Sequence, residues 1–459
     1  MWVKIKSKKI LDVANAKFKY PKILILALAF LVLSATPAPA EEEISYDSYA
    51  SDWKYPYAHK TEEAQKAYRT EMYKRALEHP FRPLGHMMGK SAEWTEREHV
   101  DDKITWFFDT LDKHGITPTL RRPTDGSVFT TGLGGTIQLD KLLKMQQKQY
   151  LVEVFGGWTP NFDFVGSTAD VGARYKIEIP ATKRLYHEGV FTYRRSSSEN
   201  FFGIGQHSSR GNWTTYSPEE TKLFGKLGYE VTDTISTDLF TVFQRMKIGN
   251  GNRERVGKIK EYFHDDESLV PGLNGETLLG VGTLAKHDTR DYVDDAKHGG
   301  YQEAEFSFFH DVEGHNISYL KFAASAAHFV PLWSDRRILA ARVAFEQNKS
   351  VGTGNVPFFN MARLGGGKRA NGSDLLRSYR FNRFFDEGLL SGSLEYRYSI
   401  WEYGHFGTDA VALFDLGEVF HDLRYFMFKE LRWSYGGALN FKFRRKTFLS
   451  LSAANGDEG

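Results

Sequence analysis

Two carboxylates and a run of arginines are the residues of this chain best placed to do chemistry. Glu395 lies in Gly392-Ser393-Leu394-Glu395-Tyr396-Arg397 and Asp415 in Phe414-Asp415-Leu416-Gly417, while Arg377, Arg380 and Arg383 precede both. Carboxylates that share a confined interior are costly without a cation, and a guanidinium can bridge two at once. The chemistry on offer is charge pairing rather than bond making. Bond-making motifs fall short. Gly85-His86-Met87-Met88-Gly89-Lys90-Ser91 has three residues between its glycines where a phosphate loop needs four, and no apolar strand precedes it. No G-x-S-x-G elbow occurs. Asp288, Asp291, Asp294 and Asp295 stand beside His287 and His298 without calcium-loop spacing, so a solvated acidic connector is expected. The 459 residues contain no cysteine, which excludes a thiol nucleophile, a disulfide scaffold and a cysteine-ligated metal. Neither a catalytic residue nor a cofactor or metal site is expected.

The elements that must position these groups are of two kinds. From Glu41 to about Asp125 the pattern is helical. Thr61 can cap a helix with Ala64, Tyr68, Met72 and Ala76 on one face. A second helix presents Val100, Ile104, Phe107, Phe108 and Leu111 and stops at Gly115, with Pro118 just beyond. From about Val128 the period becomes two. Leu394, Tyr396, Tyr398 and Ile400 alternate with Ser393, Glu395, Arg397 and Ser399. Ala410, Ala412, Phe414 and Leu416 oppose Asp409, Asp415 and Gly417. Trp433, Tyr435, Leu439, Phe441 and Phe443 oppose Arg432, Ser434, Asn440, Lys442 and Arg444. By this parity Glu395 and Asp415 share the polar face of neighbouring strands.

These runs cover about 10–14 residues each, longer than the roughly 5–6 of a globular strand and enough for the about 9–11 that cross a bilayer. Aromatic residues make up 15% of the chain and gather near strand ends, as in the girdles of a membrane barrel. A soluble β-sandwich would instead carry polar outward residues on many more short strands. About fourteen strands are expected after Val128. Short turns near Pro180–Lys183, Thr232–Thr234, Pro331–Asp335 and Trp401–His405 alternate with long loops at Ser196–Pro218, Gly249–Asn274 and Gly352–Glu387. In outer-membrane barrels the short turns are periplasmic and the long loops extracellular.

The first forty residues read as a secretory leader. Seven lysines lie between Met1 and Lys22, an apolar run follows from Ile23 to Leu33, and Ala38-Pro39-Ala40 offers a cleavage site. The apolar run is too short to span a bilayer, which takes roughly 20 residues. Without the leader, 53 basic and 57 acidic groups remain, so the formal +2 of the whole chain becomes −4. Neither value carries a nucleic-acid footprint. The expected organisation is a signal peptide at 1–40, a helical periplasmic region at 41–125 and an antiparallel transmembrane β-barrel at 126–459.

The long loop before Glu395 carries a family pattern. It opens with Gly365-Gly366-Gly367 and runs into Leu375-Leu376-Arg377-Ser378-Tyr379-Arg380. Gly365-Gly366, then Leu376-Arg377-Ser378-Tyr379, then Glu395, then Phe414-Asp415-Leu416-Gly417 form an ordered set. That set resembles the bacterial surface antigen superfamily of outer-membrane barrels, which includes BamA/TamA-type assembly proteins and two-partner secretion transporters. Asn200-Phe201-Phe202-Gly203-Ile204-Gly205 resembles a segment common in short members. The resemblance implies a sixteen-strand barrel and a loop folded into its lumen. In it Arg377 pairs with Glu395 and Asp415 as a structural lock, and Arg380 and Arg383 are the rival cations. Ser378 stands where the family has glycine. Two further departures are visible. Glu41 to Asp125 lacks the strand patterns of the family's periplasmic β-α-α-β-β modules, and Asn455 to Gly459 reads as a turn where members have one more strand. The implied function is insertion or translocation of proteins or lipids at the outer membrane, with a passive pore as the competing class. The implied partners are outer-membrane lipids, client proteins and a periplasmic partner for residues 41–125.

Overall fold

The computed structural model describes residues 100–458 apart from 122–131, 143–149, 161–166, 180–181, 183, 369–373 and 404. The expected leader, the helix expected after Thr61 and the segment 85–91 lie outside the described residues. The second expected helix is α1, Val100–Lys113, and Gly115 ends it at a φ of 72°, a conformation that suits glycine.

The chain then enters one long meander. Its strands are β1 Ile116–Arg121, β2 Gly132–Gln138, β3 Tyr150–Pro160, β4 Ser167–Glu178 and β5 Leu185–Ser196. They continue as β6 Thr214–Glu230, β7 Ile235–Asn250, β8 Gly275–Asp288, β9 Gly299–Asp311 and β10 Ser318–Pro331. The last five are β11 Arg337–Ser350, β12 Gly388–Tyr403, β13 Phe406–Phe420, β14 Arg432–Phe443 and β15 Lys446–Gly456. Each pairs antiparallel with its neighbour in the chain from β1 to β15. The fourteen strands expected after Val128 are present. A fifteenth, β1, precedes them inside the segment expected to be helical, so among the described residues the sheet begins at Ile116 rather than near 126. Pro118 masks β1 in the sequence. It sits opposite Gly135 on an end strand, where a missing N–H is tolerated.

Alternation sorts side chains by face. On β13 the outward Phe414 is 43% exposed while the adjacent Asp415 is 1% exposed. Phe306, Leu394, Tyr435 and Leu451 are likewise exposed, whereas Glu395, Ser434 and Lys442 are buried. An outer face this apolar has bilayer lipid as its solvent. No helix among the described residues is long and apolar enough to cross a membrane.

The sheet curls on itself. Gln206, between β5 and β6, donates to the Glu430 carbonyl at 2.9 Å and accepts from the Val419 N–H of β13 at 3.0 Å. Phe108 of α1, just before β1, lies 5.2 Å from the Phe443 ring at the end of β14, and Asp109 pairs with Arg444. These contacts bring the two ends of the sheet toward each other. Among the described residues β1 and β15 are not hydrogen-bonded to one another.

Both mouths of the lumen are obstructed. On the long-loop side Phe201, Ile259, Val270, Leu273, Val356, Phe358 and Phe385 are fully buried in one apolar cluster. On the short-turn side the segment between β8 and β9, residues 289–298, crosses to the far wall. Ala296 packs with Phe329, Ile338 and Ala340, and Asp295 meets Lys442 of β14 at 3.3 Å. The acidic connector expected here is therefore a folded strap rather than a solvated loop.

Candidate functional site: a loop held in the lumen by one arginine

The site is built from the loop between β11 and β12 and the inner faces of β12 to β14. A pinch shapes the loop. Gly366 N–H donates to the Leu376 carbonyl at 3.0 Å, and Asn382 N–H donates to the Gly365 carbonyl at 3.2 Å. Gly365 and Gly366 have φ of 118° and 58°, and a Cβ on Gly366 would lie 2.5 Å from the Tyr379 carbonyl oxygen. Glycine is thus required by both conformation and space. Gly366→Ala should destabilise the barrel by roughly 1–3 kcal/mol, read as a lower midpoint for loss of heat-resistant gel mobility. A midpoint unchanged from wild type would show that the pinch is not needed.

Leu376, Tyr379, Leu364 and Phe384 are buried with Leu389 of β12 and Val419 of β13. That apolar contact seats the loop on the wall. Gly417 makes room for it, because a Cβ there would approach the Leu364 side chain to 3.1 Å. Ser378, standing in place of the family's glycine, is accommodated beside Gly456 of β15, whose own missing Cβ would meet the Ser378 hydroxyl at 2.4 Å. Phe414 lies on the outer face of β13 and takes no part in the site.

Arg377 then reaches both carboxylates. Its Nε and Nη2 donate to Asp415 at 2.9 and 2.6 Å, and its backbone N–H adds a third bond of 3.1 Å. Its Nη1 donates to Glu395 Oε1 at 2.6 Å, and Nη2 also reaches Ser393 at 2.9 Å. The hydroxyls of Ser393 and Ser434 donate to Asp415 at 2.7 and 3.2 Å. A guanidinium in this fork geometry satisfies two buried anions from one position.

The rival cations are engaged elsewhere. Arg383 grips the Glu458 carboxylate through two 2.7 Å bonds, and Arg380 lies over Trp213. Two partners were missed in the sequence. Arg342 of β11 meets Glu395 at 3.2 Å, and Arg397, two residues along the same face of β12, holds its other oxygen at 2.9 and 2.7 Å. Arg397 was readable from parity. Arg342 requires the β11–β12 register, in which it pairs with Ser393. A cavity of about 520 Å³ separates this cluster from the strap, lined by Gly366, Arg377 and Glu395 from one and Asp294, Asp295 and Ala296 from the other. Loop and wall are joined here by the ion pairs and hydrogen bonds of Arg377, while Arg342, Arg397 and Ser434 brace the two carboxylates from the wall itself.

Among solved structures the chain is similar to BamA from Haemophilus ducreyi lacking POTRA domains 1–3, at 16% identity and a TM-score of 0.49, over 74% of this chain and 65% of that one. It is also similar to CdiB from Escherichia coli at 12% identity and a TM-score of 0.47, over 71% of this chain and 56% of that one. The chain therefore spans less than two thirds of either structure's length. No curated protein matches the sequence. The family model of the Omp85 superfamily domain matches residues 180–443, more than half of the chain and the whole of the lumen site. The chain belongs to the Omp85 superfamily of outer-membrane β-barrels.

Proposed function

We propose that this barrel inserts or translocates proteins, or lipids, at the outer membrane, and that the client engages the seam between β1 and β15. The observation that carries this reading is the pairing of folded segments at both mouths with end strands that share no ladder among the described residues. The apolar loop cluster fills one mouth and the strap crosses the other, which disfavours free passage through the centre. The ends of the sheet are brought near each other by α1 yet share no ladder among the described residues. Unpaired strand edges present backbone donors and acceptors that can template an incoming strand. The lumen lock fits this role by keeping the wall beside β15 rigid, so that opening is confined to the seam. On this reading the part of residues 41–125 that precedes β1 contacts a periplasmic partner, and the surrounding lipids are the second partner.

Depletion of the protein followed by quantitative proteomics of the outer membrane tests the role. Client proteins or lipids should fall in abundance within a few generations. Normal levels of every other outer-membrane component would sink the assembly reading. Single-channel recording tests the competing pore, whose signature is a steady, wide, ungated conductance.

A further inference from the structure

On the long-loop side two arginines from different loops lie over one tryptophan, and a third stands near them. The Arg380 guanidinium carbon lies 3.8 Å from the Trp213 ring centroid, and that of Arg253 lies 5.7 Å from it. Arg210 opens the short 3-10 turn Arg210–Asn212 immediately before Trp213. The tryptophan is itself fixed. Its Nε1 donates to Asn200 Oδ1 at 3.0 Å, and its ring stacks with Phe202 at 6.3 Å. The fold therefore holds like charges together at set positions.

Arg253 donates to Asn200 Oδ1 at 3.5 Å, and little local charge opposes Arg210 and Arg380. Arg210 donates to the Glu458 backbone carbonyl at 2.7 Å, while the Glu458 carboxylate is taken by Arg383. Arg380 is exposed and makes no hydrogen bond or ion pair among the described residues. Partial burial, and then Arg210 and Arg253, hold its pKa below the usual guanidinium value, with Glu458 alone opposing them. A guanidinium stacked on an indole keeps its edge N–H donors available, and several such groups suit an anion with several oxygens and more than one charge.

We propose that Arg210, Arg253 and Arg380, gathered near Trp213, form a binding site for a phosphate group, carried by a lipid headgroup or free in solution. The site lies beside Glu458, just past β15, at the long-loop end of the seam. A phosphate there joins the loops that carry Arg210, Arg253 and Arg380 next to the sheet's last described strand.

The test uses the full chain with two probes. Inorganic phosphate is titrated calorimetrically into protein in detergent. Native mass spectrometry then scores lipid retained from phosphatidylcholine nanodiscs doped with bisphosphorylated lipid A, or with the same lipid dephosphorylated. Binding to inorganic phosphate identifies a free-phosphate site, and selective retention of the phosphorylated lipid alone identifies a headgroup site. In either case the Arg210→Gln/Arg380→Gln variant should bind about tenfold more weakly. Both side chains are exposed, so the variant should keep its heat-resistant gel mobility, and Arg380→Gln alone serves if it does not. Wild-type protein that binds neither probe, or a variant that binds as tightly as wild type, overturns the proposal.

Discussion

Replacing Arg377 with alanine should lower the midpoint for loss of heat-resistant gel mobility further than any other single change in the loop. The reason lies in what the substitution leaves behind. Asp415 is 1% exposed and accepts two side-chain bonds from Arg377, so its removal leaves a buried carboxylate with only serine hydroxyls and one backbone N–H. Breaking a buried ion pair in this way typically costs about 3–5 kcal/mol. Glu395 suffers less, because Arg342 and Arg397 remain. The same logic predicts rescue. Arg377→Ala combined with Asp415→Asn should be milder than Arg377→Ala alone, since the second change removes the stranded charge. Arg377→Lys should fall between, keeping the charge while losing the fork that reaches both carboxylates. If the alanine and lysine variants were both as heat-resistant as wild type, the loop would not be locked by this contact.

The two acidic members of this cluster were legible from strand parity, because period-two alternation fixes which face a residue takes without any knowledge of its partners. The arginine was not. Arg377, Arg380 and Arg383 are equally plausible in the sequence, and resemblance to a family pattern singled out the first. The selection is made by geometry that no spacing reveals. The Gly366–Leu376 bond closes the pinch, and Leu376 sits at a φ of 49° in an apolar seat, so the next residue is turned onto Asp415. The strap was hidden for a related reason. Its acids are obvious in the sequence, but Lys442 lies 147 residues away from Asp295 and meets it only because the sheet curls. Strand number and the alternation of short turns with long loops were legible because they depend on local chemistry. The exception, β1, has a proline in a short end strand, the one place where local chemistry argues against the observed element.

That long-range pairing supplies the second large effect. Lys442 is 4% exposed, and its Nζ lies 2.9 Å from Asp409 Oδ2 and 3.3 Å from Asp295 Oδ2. Lys442→Met leaves the strap's carboxylate facing the wall's carboxylate with no cation between them, which converts the main attachment into a repulsion. Arg445 and Lys446 still reach the strap, but from more exposed positions where ion pairs contribute little. A loss of about 3 kcal/mol in the strap's hold raises the fraction of released molecules roughly a hundredfold. The absence of native cysteine makes this directly measurable. A cysteine introduced at Ala296, now 3% exposed, should resist a membrane-impermeant maleimide in the parent and react about a hundredfold faster beside Lys442→Met. Asp295→Ala should act in the same direction but more weakly, because Lys442 keeps Asp409 and no carboxylate is stranded. If the strap controls the short-turn mouth, both variants should also raise single-channel conductance, in the same order. Equal labelling in all three backgrounds would mean that the apolar seat of Ala296, and not the Lys442 bridge, holds the strap across the lumen.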